Sequence, residues 1–148
     1  FKNSVHNAAS GHFSIAFSNR SPSTTLSAGE NLIAAGLVEA WGLLAQREGE
    51  VLLVFSEESV PESLPGHSLR TLTGVAFHLR ATPPAGPRVT LSNLRRGEPL
   101  GARLDPPRVR SRCADAAPWL EALTSPTHGT FALPDDGAPW LVDFNPER

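Results

Sequence analysis

Ser27 and Glu30 stand where a short Thr-rich stretch gives way to a long helical one, in the run Thr24-Thr25-Leu26-Ser27-Ala28-Gly29-Glu30. A residue at a strand-to-helix junction is exposed above the sheet and meets the positive end of the helix dipole. Enzymes place nucleophiles there because free amides and the dipole favour an anion. Two chemistries fit: Ser27 as an acyl acceptor, or Glu30 as a carboxylate pointing into a pocket. The same pair also spells an S-x-x-E capping box. There the serine side chain meets the N3 amide and the glutamate reaches back to the Ser27 amide. The box explains both residues with no further assumption.

Other site types find little support. There is no G-x-x-x-x-G-K-[ST] loop and no G-x-G-x-x-G, so no motif asks for a cofactor. The histidines are His6, His12, His67, His78 and His128, and none forms an H-x-x-x-H or H-E-x-x-H pair, so no metal is expected. His6 and His12 lie about 600° apart around a helix, on different faces. Cys113 is the single cysteine, which excludes an internal disulfide framework. Its neighbours Arg112 and Asp115 bring neither a glycine elbow nor a histidine, and it reads as an ordinary loop cysteine. Residues 88–112 are Arg-rich with little aromatic interleaving, which reads as a solvated or acid-paired surface and not a phosphate site.

The elements that must position Ser27 and Glu30 lie in the first 60 residues. Val5, Ala8, Ala9, His12, Phe13 and Ala16 keep helical spacing, which predicts a helix over Asn3 to Phe17 with Asn3 as N-cap. Asn19-Arg20-Ser21-Pro22 is a turn. Ser23 to Leu26 reads as a short strand. Ile33, Leu37, Ala40, Trp41 and Leu44 then mark a second helix, from Glu30 to Gln46, with Gly49 serving its C-terminal turn. Val51-Leu52-Leu53-Val54-Phe55 is apolar on both faces, which predicts a covered strand, so that 23–55 forms a βαβ unit.

Beyond residue 60 the chain changes character. It holds 13 of the 14 prolines. Strands are expected within Leu69 to Arg80 and Arg88 to Leu94, with Pro83-Pro84-Ala85-Gly86-Pro87 as a stiff turn, possible as that of a hairpin. A short helix is expected over Asp115 to Leu123, and a hairpin of Gly129–Leu133 with Trp140–Phe144 around Asp135-Asp136-Gly137. Residues 81–112 carry seven Arg against Glu98 and Asp105, whereas 113–148 carry Arg148 against six acids. The two segments can neutralise each other if they pack together.

The 148 residues suit one compact domain, 40% hydrophobic and 19% charged, which is too apolar for a disordered chain. A net charge of −2 gives no reason to expect nucleic acid. No apolar run approaches the roughly 20 residues of a membrane span, and nothing at the start reads as a signal peptide. The chain opens on Phe1 and holds no methionine, so the expectation is a piece of a longer protein.

The run Asn3-Ser4-Val5-His6-Asn7-Ala8-Ala9-Ser10-Gly11-His12-Phe13-Ser14-Ile15-Ala16 resembles the β-ketoacyl synthase-like N-terminal domain family. Arg20 to Glu30, Ala34 to Ala40 and Val51 to Phe55 fit the same pattern, about 60 residues in all. The resemblance implies an α/β, partial thiolase-like fold with a mixed sheet. Residues 1–60 would be its core segment and 61–148 a Pro-rich continuation, with an N-terminal portion of the family domain missing before Phe1. It implies a chain-length-factor-like subunit, cytoplasmic, in type II polyketide, aryl-polyene or fatty-acid-like biosynthesis. The partners implied are an active β-ketoacyl synthase, as a heterodimer, and an acyl carrier protein bearing the acyl chain.

In ketosynthases the equivalent junction presents a cysteine that takes the growing chain. Here Ser27, Gly29 and Glu30 mark a vestigial site with no cysteine. Condensation needs a thiolate of lowered pKa, and a serine without a base is a poor substitute, so no independent condensing activity is expected. His6, Asn7 and Phe13 become pocket or interface candidates, with helix capping and packing the alternative for the first two. Ser23, Thr24, Thr25 and Leu26 would pair across the subunit interface. A rival reading makes Ser27 the nucleophile of an acyl-transferase or thioesterase-type hydrolase. Its partners would come from His128 and from Asp115, Asp135, Asp136 or Asp143. Thr25 stands where the nucleophile elbow wants glycine. A domain that keeps the shape and has lost the acyl-chain role is a third.

Overall fold

A computed structural model describes residues 7–28, 32–46, 49–57, 73–83, 85–98, 116, 120–121, 127–133 and 138–147. Its helices are α1 (Ala8–Ala16) and α2 (Leu32–Gln46), and its strands are β1 (Glu50–Glu57), β2 (Thr73–Arg80), β3 (Arg88–Arg96), β4 (Gly129–Leu133) and β5 (Trp140–Glu147). The strands form two antiparallel sheets, β1-β2 and β3-β5-β4.

α2 forms where the apolar spacing predicts it, and it buries Ile33, Ala34, Gly36, Leu37 and Ala40. Its Gly36 sits on β1 so closely that a Cβ there would come within 2.8 Å of the Phe55 ring and 3.2 Å of Leu53. Only a residue without a side chain lets helix and strand approach this far. Gly49, between α2 and β1, has φ +145°, a backbone region that favours glycine. Ile33, Ala34, Leu37 and Phe55 join Ala116, Leu133 and Val142 in one core cluster, so α2, β1 and the β4-β5 pair share an interior.

Several sequence expectations are corrected. Ser23 to Leu26 is irregular chain, not a strand. β-Rich composition makes a strand only when a neighbour supplies the ladder, and no described strand pairs with this segment. The βαβ unit and the mixed sheet fall with it, because β1 pairs antiparallel with β2 in a register from Glu50↔Arg80 to Glu57↔Thr73. β1 is covered on one face only: Phe55 is buried under α2, while Leu52 and Val54 on the other face are 61% and 59% exposed. β2 and β3 do not form a hairpin through the proline-rich link; they enter different sheets. α1 is shorter than its pattern and buries no residue; Ile15 is 81% exposed. Its N-cap is Asn7, which makes no side-chain capping bond, and Asn3 lies outside the described residues. Of the expected 115–123 helix, Ala116, Leu120 and Glu121 are described; Ala116 is in a 3-10 turn and the other two are α-helical.

The C-terminal hairpin forms as its sequence predicts, with Gly129↔Phe144 through Leu133↔Trp140. Asp135-Asp136-Gly137 lies outside the described residues. β5 also pairs with β3, bringing the Arg-rich and the acidic segments side by side. The expected charge neutralisation occurs there: Arg88 pairs with Glu147, and Arg95 lies 3.0 Å from Asp143. Thr90 Oγ1 also donates to Glu147 at 2.6 Å.

Between Ser92 and Arg95 the β3 ladder carries a bulge, with Asn93 at φ +54°. Such a bulge leaves a residue without a ladder partner. Asp143 braces it, accepting from Asn93 Nδ2 at 2.8 Å and from Thr130 Oγ1 at 2.7 Å across the sheet. The hydroxyl of Thr130, the amide of Asn93 and the Arg95 guanidinium hold the Asp143 carboxyl well below its ordinary 3.8, at about 2. A carboxyl depressed in the fold contributes stability above its unfolded pKa and loses it as pH falls through the folded one. The Asp143 contribution is therefore full above about pH 4 and fades toward pH 2. Thermal unfolding followed across this window should show wild type losing stability more steeply than Asp143→Asn.

Candidate functional site

The segment Leu26-Ser27-Ala28 leads into α2, and a shallow groove of about 340 Å³ opens beside it. Its walls are Leu26 and Ala28 from the segment, Ala34, Ala35, Val38 and Glu39 from α2, and Trp140 from the start of β5. Pockets of about 300 Å³ and upward are the size that holds small ligands. Apolar walls with one carboxylate suit an aliphatic body better than a phosphate or sugar.

Ala34, Ala35 and Val38 occupy an edge of α2 beside the Ile33–Leu37 stripe that seats the helix. Helical spacing alone could have placed them, since i, i+1 and i+4 form one edge. Trp140 had no such signal, because its approach to α2 depends on how the second sheet packs.

The sequence-derived candidates fall into three groups. Leu26 lines the groove; Ser27 is exposed, with no hydrogen-bond partner among the described residues. Gly29, Glu30 and His6 lie outside the described residues, so the capping box does too. The remainder belong to α1 and the chain after it. Asn7 is exposed and its carbonyl accepts from Gly11 N and Ser10 Oγ, both at 3.0 Å. The Phe13 ring lies 4.9 Å from that of Phe17, centroid to centroid. Ser23 and Thr24 are exposed, and Thr25 is half-buried with its hydroxyl 3.2 Å from that of Ser10. The Ser10–Thr25 contact ties α1 to the chain that precedes the groove.

Of the partners proposed for a Ser27 nucleophile, two are described, and neither lines the groove beside Ser27. His128 and Asp143 line a second hollow, of about 550 Å³, on the three-stranded sheet with Ser92, Arg95, Thr130 and Asn145. Asp115, Asp135, Asp136 and Cys113 lie outside the described residues. His78 faces solvent, 3.0 Å from Glu50, whose carboxyl is lowered mainly by its hydrogen bond from Arg80 and then by that from His78. Among the described residues, no group of three or more His, Cys, Asp or Glu is placed to hold a metal. No described helix is long and apolar enough to cross a membrane.

The family model of the β-ketoacyl synthase N-terminal domain matches residues 1–141. The chain belongs to that family. The match runs well past the 60 residues that carry the sequence resemblance, so the proline-rich part after residue 60 is family sequence as well. No curated protein and no solved structure matches the chain. Ser27 precedes α2 in the chain and is exposed, between Leu26 and Ala28 of the groove wall.

Proposed function

We propose that this ketosynthase-family chain is a noncatalytic, chain-length-factor-like subunit. It pairs with an active β-ketoacyl synthase and helps shape the cavity that receives the growing acyl chain. The observation that carries the reading is the junction itself: Ser27, exposed and without a base among the described residues, beside a groove walled by Leu26, Ala28, Ala35 and Val38. A hydroxyl there, with no general base beside it among the described residues, is a weak nucleophile, while the apolar walls remain suited to an alkyl chain. The reading places the pair in type II polyketide, aryl-polyene or fatty-acid-like synthesis, in the cytoplasm, with acyl carrier protein delivering the chain. The thiolase-type fold belongs to the same proposal.

Ser23 to Leu26 supports the pairing. In the single chain it is irregular and has no ladder partner among the described residues, and Ser23, Thr24 and Leu26 are exposed. Unpaired backbone of this kind is a template for strand addition by another chain. The test is co-expression of this chain, tagged, with an untagged ketosynthase of the same organism. The eluate should contain both and make products of a different length from those of the ketosynthase alone. Absence of the ketosynthase from the eluate would refute the pairing.

A further inference from the structure

Glu39 is the one charged residue among those that line the groove beside α2. It stands four residues past Ala35, so the two share an edge of the helix about 6 Å apart along its axis. It is half-buried, and no hydrogen bond or ion pair to it exists among the described residues. Arg96 lies 4.9 Å over the Trp140 ring centroid and is not one of the groove-lining residues. The groove therefore combines small apolar walls, Ala28, Ala34, Ala35 and Val38, with a carboxylate that has no ion-pair partner among the described residues.

We propose that the groove takes a linear aliphatic chain tipped by an ammonium group, with Glu39 as the residue that selects the tip. The apolar walls suit methylenes. A carboxylate with no ion-pair partner among the described residues attracts an ammonium and repels a ligand carboxylate. The inference deepens the acyl-chain reading above by naming the end of the chain that the groove prefers. It is tested without a ketosynthase, so either can fail alone.

The experiment is calorimetric titration of the full chain at pH 7 with octylammonium, 1-octanol and octanoate. Octylammonium should bind at least tenfold more tightly than octanoate, with octanol between them. Glu39→Gln should erase the preference for the ammonium while octanol still binds, and Ala35→Phe should weaken all three by filling the groove. Circular dichroism of both variants checks that they fold. Equal affinities for the ammonium and the carboxylate, an order that survives Glu39→Gln, or binding unaffected by Ala35→Phe would overturn the proposal. Failure of all three ligands to bind would overturn it as well.

Discussion

Phe55→Ala should lower the stability of the chain by about 3–5 kcal/mol, the range for deleting a buried phenylalanine ring. The ring is 3% exposed and meets Phe77 edge-on at 6.3 Å. It also fills the space that Gly36 leaves open on α2. Removing it takes away the main contact between α2 and the β1-β2 sheet, so the cavity is walled on opposite sides by two elements that cannot easily collapse. Domains of this size have only about 5–15 kcal/mol in total, so the variant should unfold at a much lower urea concentration. Gly36→Ala approaches the same contact from the other side, by overpacking, and should cost about 1–3 kcal/mol. A loss below 1 kcal/mol for Phe55→Ala would contradict the seating of α2 on β1.

Thr24→Pro should reduce recovery of a ketosynthase with the tagged chain by tenfold or more, while the melting temperature stays within about 2 °C of wild type. Proline removes the backbone N–H that an added strand would use and fixes φ. Thr24 is exposed and its backbone serves no ladder in the single chain, so the fold has little to lose. A tenfold change corresponds to about 1.4 kcal/mol, roughly what one or two interface hydrogen bonds contribute. Recovery equal to wild type would show that the partner does not pair with this segment.

How much was legible in the sequence follows from which elements are local. α2 was readable because its apolar stripe, Ile33 to Leu44, spans about three turns and fixes both its type and its buried face. The β4-β5 hairpin was readable because two short apolar runs flank a strong turn. The affinity of 81–112 for 113–148 was readable as a charge balance, and Arg88–Glu147 and Arg95–Asp143 realise it. Non-local pairing was not readable. Val51 to Phe55 looks the same whether its neighbour is parallel or antiparallel, and only the register with β2 decides. Ser23 to Leu26 has strand composition but no neighbour to pair with. At the site, Ser27 and Leu26 were found from the helix start that follows them. Glu39 and Trp140 were missed, one because nothing in the helical pattern marks a charged residue at the edge of the buried stripe and the other because it arrives from a distant strand.

The role proposed for this chain is to shape a ketosynthase without doing its chemistry. The most direct measurement is condensation of malonyl and acyl groups on acyl carrier protein by the co-purified pair, with Ser27→Ala beside wild type. The expected result is co-elution, activity within about twofold in Ser27→Ala, and a product length that changes when this chain is left out. An isolated chain that hydrolyses acyl thioesters, and stops doing so in Ser27→Ala, would contradict it and make Ser27 a nucleophile.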